Sequence, residues 1–428
     1  MNVPSATQPH PPPEEELFRS NSIGLYLHFP FCSEQCSYCG FVTRKFRAHA
    51  AETYLGLLEK ELRLLASARE QQSGALPPTD TLYLGGGTPS LMTTQEIQQL
   101  TNLLRGLFPF PKMSEWTIEA NPADITEAKA EAWLNAGFNR VSIGAQTIFP
   151  ALLQRLHRRH GPDDVLQACA LLRAAGVPQI SLDLIAGLPD QDIGRELDWL
   201  LSLAPDHVSI YLLEVKEKTP LESQVRTGTF VLPDPDTTAD DYLQIVETLT
   251  RAGYYHYEIS NFAKRPPTGP ECARCSRHNL KYWAMQPVWA AGLGAHGFDG
   301  ASRWAGESRL PAYRAKLEQS ILPYAWQRQM STADLLEEAM LMAMRRTKGV
   351  NLPELRRHFP ATILDPVLNV LEGFLTPGWL VKTKEQYLRF TLEGMLLSNE
   401  IFEAVLEALE PFAAQAPSAE IAEGAEGC

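Results

Sequence analysis

Tyr26-Leu27-His28-Phe29-Pro30-Phe31-Cys32-Ser33-Glu34-Gln35-Cys36-Ser37-Tyr38-Cys39 joins a short apolar segment to three cysteines at C-x3-C-x2-C spacing. One loop thereby presents three thiols together. Thiolates so spaced can grip three irons of a [4Fe–4S] cube, which ordinarily takes four protein ligands. No fourth cysteine lies close by in the sequence. One iron is then left for a non-protein ligand, and an open metal position is a reactive one. A structural zinc knuckle would need a second cysteine or histidine pair at matching spacing. A disulfide framework does not suit a chain of 428 residues with seven cysteines.

Composition bounds the remaining choices. An apolar fraction of 44% supports a large core and two or three domains. The net charge of −13 argues against a general nucleic-acid binder, which would show a basic face. The other cysteines (Cys169, Cys272, Cys275 and Cys428) form no obvious framework, so the chain reads as cytoplasmic and reduced. No apolar run approaches the ~20 residues of a membrane span, so no integral membrane segment is expected. Residues 1–21 are Pro- and Glu-rich and read as a disordered leader rather than a signal peptide. Residues 411–428, rich in Ala, Glu and Gly, read as a disordered tail.

Strand-like and helix-like segments alternate outward from the cysteine loop. Short β-rich runs fall at 23–29, 81–84, 116–119, 141–145, 180–185 and 208–213, with helical patterns at 51–67, 94–107, 127–136, 164–175, 193–203 and 240–252. Thr93 with Glu96 forms a capping-box pattern, and Gly137, Gly176 and Gly253 sit where helices should stop. Six successive β-α units imply an α/β fold with a parallel sheet wrapped by helices. The strands read as nearly continuous apolar runs buried on both faces. Six units fall short of the eight that close a barrel, so an open, partial (β/α)6 barrel over 22–255 is expected. In such folds chemistry gathers at the C-terminal strand ends, where the cysteine loop lies. Residues 256–328 form an extension. Residues 329–410 read as a mostly helical, winged-helix-like domain with a small hairpin at 379–391 followed by a helix from about 393, and with Met340, Met342 and Met344 in its core.

Further motifs lie after the other strands. Gly85-Gly86-Gly87-Thr88-Pro89 follows the second, where glycines let backbone amides approach a ligand or simply make a tight turn. Glu119, Gln146 and Asp183 sit in or at the tips of the next three strands. Polar groups at matching strand positions line one pocket more readily than they form three separate core sites. Arg158 can meet a carboxylate bidentately, or simply begin a solvated helix beside Arg155 and Arg159.

The run 26–32, the cysteine triad with Tyr38, the Gly85–Pro89 loop and Gly187-Leu188-Pro189 together resemble the radical S-adenosylmethionine superfamily. Within it they resemble the branch of the oxygen-independent coproporphyrinogen III oxidases and the HemW haem chaperones, from about residue 23 to about 402. The resemblance implies that Cys32, Cys36 and Cys39 bind a [4Fe–4S] cluster and that S-adenosylmethionine chelates the open iron. It also implies that Tyr26, Tyr38, Gly86, Gly87, Thr88, Glu119, Gln146, Arg158 and Asp183 contact that cofactor. Glycine amides would meet its methionine end, Glu119 its ribose hydroxyls and Arg158 its carboxylate.

Two features choose between the branches. The oxidases resemble C-x3-C-x2-C-x-C, and here the last position is Phe41, which resembles HemW. His278-Asn279-Leu280-Lys281-Tyr282-Trp283 matches the H-N-x-x-Y-W motif of that branch. His278, Asn279, Tyr282 and Trp283 are therefore haem candidates: imidazole suits iron and flat rings suit the macrocycle. The alternative is a buried histidine that holds the extension against the barrel. Cys272-Ala-Arg-Cys275 is a second C-x2-C, read as a redox pair or as loop cysteines. His296 is a second haem candidate or a turn residue. The expectation is a cytoplasmic chaperone that holds haem and passes it to acceptor haemoproteins, respiratory ones among them. The rivals are oxidative decarboxylation of coproporphyrinogen III and a plain iron–sulfur or zinc-stabilised protein.

Overall fold

The computed structural model describes residues 16–412; residues 1–15 and 413–428, with most of the expected leader and tail, lie outside the described residues. A twelve-stranded mixed sheet forms its frame. The strands are β1 (Ile23–Phe29), β2 (Thr79–Gly86), β3 (Glu115–Ala120), β4 (Arg140–Gln146), β5 (Gln179–Ala186), β6 (His207–Leu212), β7 (Tyr254–Glu258), β8 (Asn261–Lys264), β9 (Val288–Ala291), β10 (His296–Phe298), β11 (Ser302–Gly306) and β12 (Tyr324–Gln329). Their spatial order is β12-β11-β10-β9-β1-β2-β3-β4-β5-β6-β8-β7. Strands β1 to β6 pair in parallel in chain order. Crossover helices α1 (Ala48–Ser73), α2 (Thr94–Leu107), α3 (Glu127–Ala136), α4 (Pro162–Ala175) and α5 (Ile193–Leu203) link them, and α6 (Pro235–Arg251) follows β6. This is the open (β/α)6 arrangement the sequence predicts, and no closed barrel forms among the described residues.

Local signals explain the helix ends. Thr93 and Glu96 form the reciprocal capping box at α2. Gly137 and Gly176 end α3 and α4 in the left-handed conformation, with φ of 107° and 86°. One expectation is corrected: the strands are not apolar on both faces. Leu82, Leu84, Ile118, Val141, Ile143 and Leu182 face the helices in one large core. The alternate positions carry buried Thr81, Thr117, Ser142, Ser181 and Ser209. The barrel therefore has an apolar outside and a polar lumen, set by the two-residue period.

The extension supplies what the local pattern did not show. Strand β9 pairs in parallel with β1, so the cysteine-bearing strand is central rather than an edge. Helix α7 (Arg277–Trp283) carries the HNLKYW motif. Beyond it, α8 (Thr332–Ala343), α9 (Leu352–His358), α10 (Ala361–Glu372) and α11 (Ser398–Leu409) accompany a three-stranded antiparallel sheet. Their core buries Met340 and Met344 and takes in Leu17 from the other end of the chain. Residues 16–21, included in the expected leader, are thus partly tied down: Leu17 N donates to Glu354 at 2.5 Å and Phe18 N to Ala284 O at 2.9 Å.

Candidate functional site

The cysteine loop leaves β1 through Pro30 and is clamped at its base. Phe31–Cys32 pairs in parallel with Arg44–Lys45, and Phe46 N donates to Cys32 O at 2.7 Å. Ser37 ties the middle of the loop: its N donates to Leu156 O and its carbonyl accepts from Leu221 N. The three thiols are partly buried and unbridged. Burial raises the Cys32 and Cys39 thiols, Cys39 up to about 11, with the neighbouring cysteines adding to the rise. A metal would reverse that preference, since the ligand is the thiolate. Among the described residues no three Cys, His, Asp or Glu side chains converge to share one ion. Three unbridged cysteines at C-x3-C-x2-C spacing are a donor set that fits three corners of a [4Fe–4S] cube.

Arg158 faces this loop. Its Nη1 lies 3.4 Å from Cys36 Sγ and its Nη2 donates to Gly144 O at 2.9 Å. Its buried Nε has no hydrogen-bond partner. One of its donors is thus left without a protein acceptor, and a carboxylate oxygen is the kind of group that would satisfy it. Gln146 ends β4 with φ 66° beside a bulge, a left-handed position uncommon outside glycine. A cleft of about 720 Å³ opens beside Cys32 and Arg158, against the segment 150–162. It also touches His160, whose pKa burial drives down to about 4 and whose Nδ1 is unpartnered.

The glycine loop works differently from expectation. Gly86 N donates to Glu119 Oε2 at 3.0 Å, Gly87 N to Phe29 O and Thr88 N to Phe31 O, both at 2.8 Å. These amides are spent inside the protein, so the idea that they meet a methionine end is corrected. The glycines serve close approach instead. A Cβ on Gly86 (φ +110°) would lie 2.5 Å from the His28 ring, and one on Gly87 would lie 2.6 Å from Phe31 O. The Thr88 side chain hydrogen-bonds Cys32.

Inside the lumen, Tyr83 hydroxyl donates to Glu119 Oε1 at 2.8 Å, and its ring stacks on Tyr26, with centroids 6.1 Å apart. Tyr26 hydroxyl meets His28 Nδ1 at 3.0 Å. Ser142 donates to both Asp183 oxygens at 3.0 and 2.8 Å. Burial pushes the Glu119 carboxyl up to about 7, Tyr83 opposing and Asp183 adding to the rise. Two half-buried carboxyls near each other leave the pocket receptive to positive charge. Sequence reasoning missed Tyr83 and Ser142; the lumen side of the two-residue alternation was the signal that could have found them.

The haem candidates lie elsewhere. His278 sits at the N-terminal ends of the strands, while the cysteines follow the C-terminal ends. Five residues of β1 at ~3.3 Å each separate the two levels by roughly 16 Å. His278 is 1% exposed. Its Nδ1 is 2.8 Å from Thr81 hydroxyl and its Nε2 is 3.2 Å from Tyr282 hydroxyl. The backbone N–H groups of Arg277 and His278 both donate to Glu115 at 3.1 Å, and Arg277 and Lys281 pair with Asp80 at 2.9 Å. Asn279 N bonds the Ser276 cap, and Trp283 is half-buried with an unpartnered Nε1. With both ring nitrogens engaged, His278 here takes the alternative place, that of a buried histidine holding the extension against the lumen floor. Cys272 and Cys275, read as a redox pair or as loop cysteines, are joined in a disulfide. His296 is exposed on β10 and lies edge-on to Trp326.

Comparison with known proteins agrees with this architecture. The sequence profile of the Radical SAM superfamily matches residues 26–200, and that of the HemN C-terminal domain matches 330–397. The chain is 32% identical over 385 residues to Heme chaperone HemW of Bacillus subtilis, covering 89% of this chain and 98% of that one. It is 35% identical over 357 residues to Heme chaperone HemW of Mycobacterium tuberculosis, covering 81% and 88%. To Radical S-adenosyl methionine domain-containing protein 1, mitochondrial, of Mus musculus it is 31% identical over 441 residues, covering 99% and 95%. The solved structure of coproporphyrinogen III oxidase (HemN) from Escherichia coli superposes with a TM-score of 0.75 at 22% identity, over 92% of this chain and 91% of that one, which shows the shared fold. With relatives matched over nearly their full length, the chain belongs to the radical SAM superfamily and, within it, to the HemW family.

Proposed function

We propose that this protein is a cytoplasmic haem chaperone that holds haem alongside a [4Fe–4S] cluster and S-adenosylmethionine, and passes haem to acceptor apo-haemoproteins. The observation that carries the reading is the unbridged cysteine triad facing Arg158, in a chain matched over most of its length by relatives named heme chaperones. Cys32, Cys36 and Cys39 would hold the cluster as thiolates. When bound, the cluster offers one open iron for chelation and one-electron chemistry. Arg158 would neutralise the cofactor's carboxylate and, through Cys36, the charge of the thiolates. Glu119 and Asp183, with Gln146 and the Tyr26 and Tyr38 rings, would accept from sugar hydroxyls and attract a sulfonium. Gly86, Gly87 and Thr88 bring the cysteine strand close enough for that pocket to form.

Phe41 follows the triad and is 70% exposed. It offers a flat apolar ring on the cysteine-loop side of the barrel, suited to a macrocycle. Asn279, Tyr282 and Trp283, like His278, lie at the other end of the lumen and would not touch haem held there. The test is a haem titration of the full-length chain with Soret detection, in the wild type and in Phe41→Ser. The expected result is a saturable spectral shift, weakened in the variant. No shift in the wild type would overturn haem binding. Formation of protoporphyrinogen from coproporphyrinogen III in an anaerobic assay would replace the chaperone reading with the oxidase one.

A further inference from the structure

The haem and cofactor readings leave Cys272–Cys275 without a part. The pair follows a fully exposed stretch, residues 267–271, and immediately precedes Ser276, the N-cap of α7. Both sulfurs pack in a small cluster with Tyr257, Ala263 and Leu280. Cys275 is 1% exposed and Cys272 is 8% exposed.

Two lines run from this four-residue loop into the lumen. Ser276 N donates to Tyr257 hydroxyl at 3.3 Å, and that hydroxyl meets His207 Nε2 at 2.7 Å. His207 Nδ1 meets Ser181 hydroxyl at 2.8 Å, and Ser181 donates to Asp183 at 3.4 Å. Separately, the Arg274 carbonyl accepts from Arg140 Nη1 at 3.2 Å, and Arg274 pairs with Asp206 at 3.2 Å. A change at the disulfide therefore reaches the helix cap, the lumen floor and Asp183 through bonded neighbours.

We propose that Cys272–Cys275 is a reversible thiol–disulfide site, with a dithiol reductant as its partner, whose redox state sets how firmly α7 is held against the barrel floor. The physical reason is spacing. Bonded sulfurs sit ~2.05 Å apart, whereas two unbonded heavy atoms need roughly 3.5 Å or more. Reduction inside a packed cluster must push one cysteine outward. Cys275 is two residues from Arg277, so the displacement falls on the Ser276 cap and on the amides that donate to Glu115.

The chemistry balances within one exchange. A thiolate of the reductant attacks Sγ of Cys272, the more exposed residue of the two, and the Cys272–Cys275 bond breaks with Cys275 leaving as thiolate. The second thiolate of the reductant attacks the mixed disulfide and releases Cys272. Two electrons pass to the pair, two protons end on its sulfurs, and the reductant leaves as a disulfide.

The test uses the full-length chain and requires neither haem nor cluster, so its outcome stands apart from the chaperone reading. Native protein is incubated with or without dithiothreitol, alkylated, digested and weighed. The expected result is that Cys272 and Cys275 are blocked before reduction and become alkylatable together after it. Hydrogen exchange at residues 277–281 should then accelerate at least tenfold on reduction and recover on reoxidation with oxidised glutathione. A Cys272→Ser/Cys275→Ser chain should show the fast rate under both conditions; if it does not fold, the wild-type cycle alone decides. Alkylation without reductant, resistance to dithiothreitol in the native state, or exchange rates unchanged by reduction would each overturn the proposal.

Discussion

Replacing His278 with alanine separates a floor from a ligand. The ring is buried, its centroid lies 5.2 Å from the Tyr83 ring, and it meets two hydroxyls. Removing a buried ring of this size costs about 3–5 kcal/mol through lost contacts and the cavity left behind. Within that figure, leaving the Thr81 hydroxyl buried without a partner accounts for about 1–3 kcal/mol. Taken at about 4 kcal/mol, the change shifts the folding equilibrium by about three decades. Hydrogen exchange at β1, β2 and β3 in increasing urea is the suitable assay, because it reads the barrel without the C-terminal helices. The expected outcome is a barrel destabilised by about that amount, together with haem binding that falls only as far as unfolding explains. A variant within about 0.5 kcal/mol of wild type that has lost its Soret response would refute the reasoning and restore His278 as an axial ligand.

Other outcomes follow from the same contacts. Arg158→Ala should lower S-adenosylmethionine affinity about 10- to 100-fold, the worth of a charge-assisted pair, while iron and sulfide content after anaerobic reconstitution stays near wild type; equilibrium dialysis measures the first and chemical analysis the second. Gly86→Ala should destabilise the barrel by 2 kcal/mol or more, on the order of other strained backbone substitutions, because its Cβ meets the His28 ring at 2.5 Å; urea unfolding measures it. Stability against pH should be flat near pH 4.5–6.5 and fall on either side. His278, His160 and His256 have folded values lowered to about 3, 4 and 4 by burial, so their contribution is complete above 6.5 and is lost as pH falls. Glu61, Glu119 and Glu258 are raised by burial to about 7, so theirs is complete below 4.5 and is lost as pH rises through 7. Monotonic stability from pH 4 to 8 would count against these assignments.

The parts legible in the sequence were those with a local cause. Six strand-helix units, the Thr93 capping box and the glycine stops at 137 and 176 each depend on neighbours within a few residues, and each stands as read. The position of the cysteine loop followed from the first strand alone. Pairing across long separations left no such mark. Val288–Ala291 joins β1 from across the chain, and a four-residue apolar run carries no address for its partner. The lumen was misjudged because Thr and Ser at alternate positions look like interruptions until a sheet gives them a side. His278 shows the limit of chemical plausibility: an imidazole beside aromatic rings suits iron, yet Thr81, distant in sequence, occupies one nitrogen. The glycine-loop amides misled in the same way, since their acceptors, Glu119, Phe29 and Phe31, belong to the neighbouring units.

The central placement of the cysteine strand has a consequence for biogenesis. Its flank stays bare until Val288 has been made, 259 residues after Phe29. At roughly 5–20 residues per second, that is a wait of roughly 13–50 s during synthesis. Metal delivery to a nascent chain would meet a strand still missing one neighbour, so a finished socket exists only once translation is well past its midpoint.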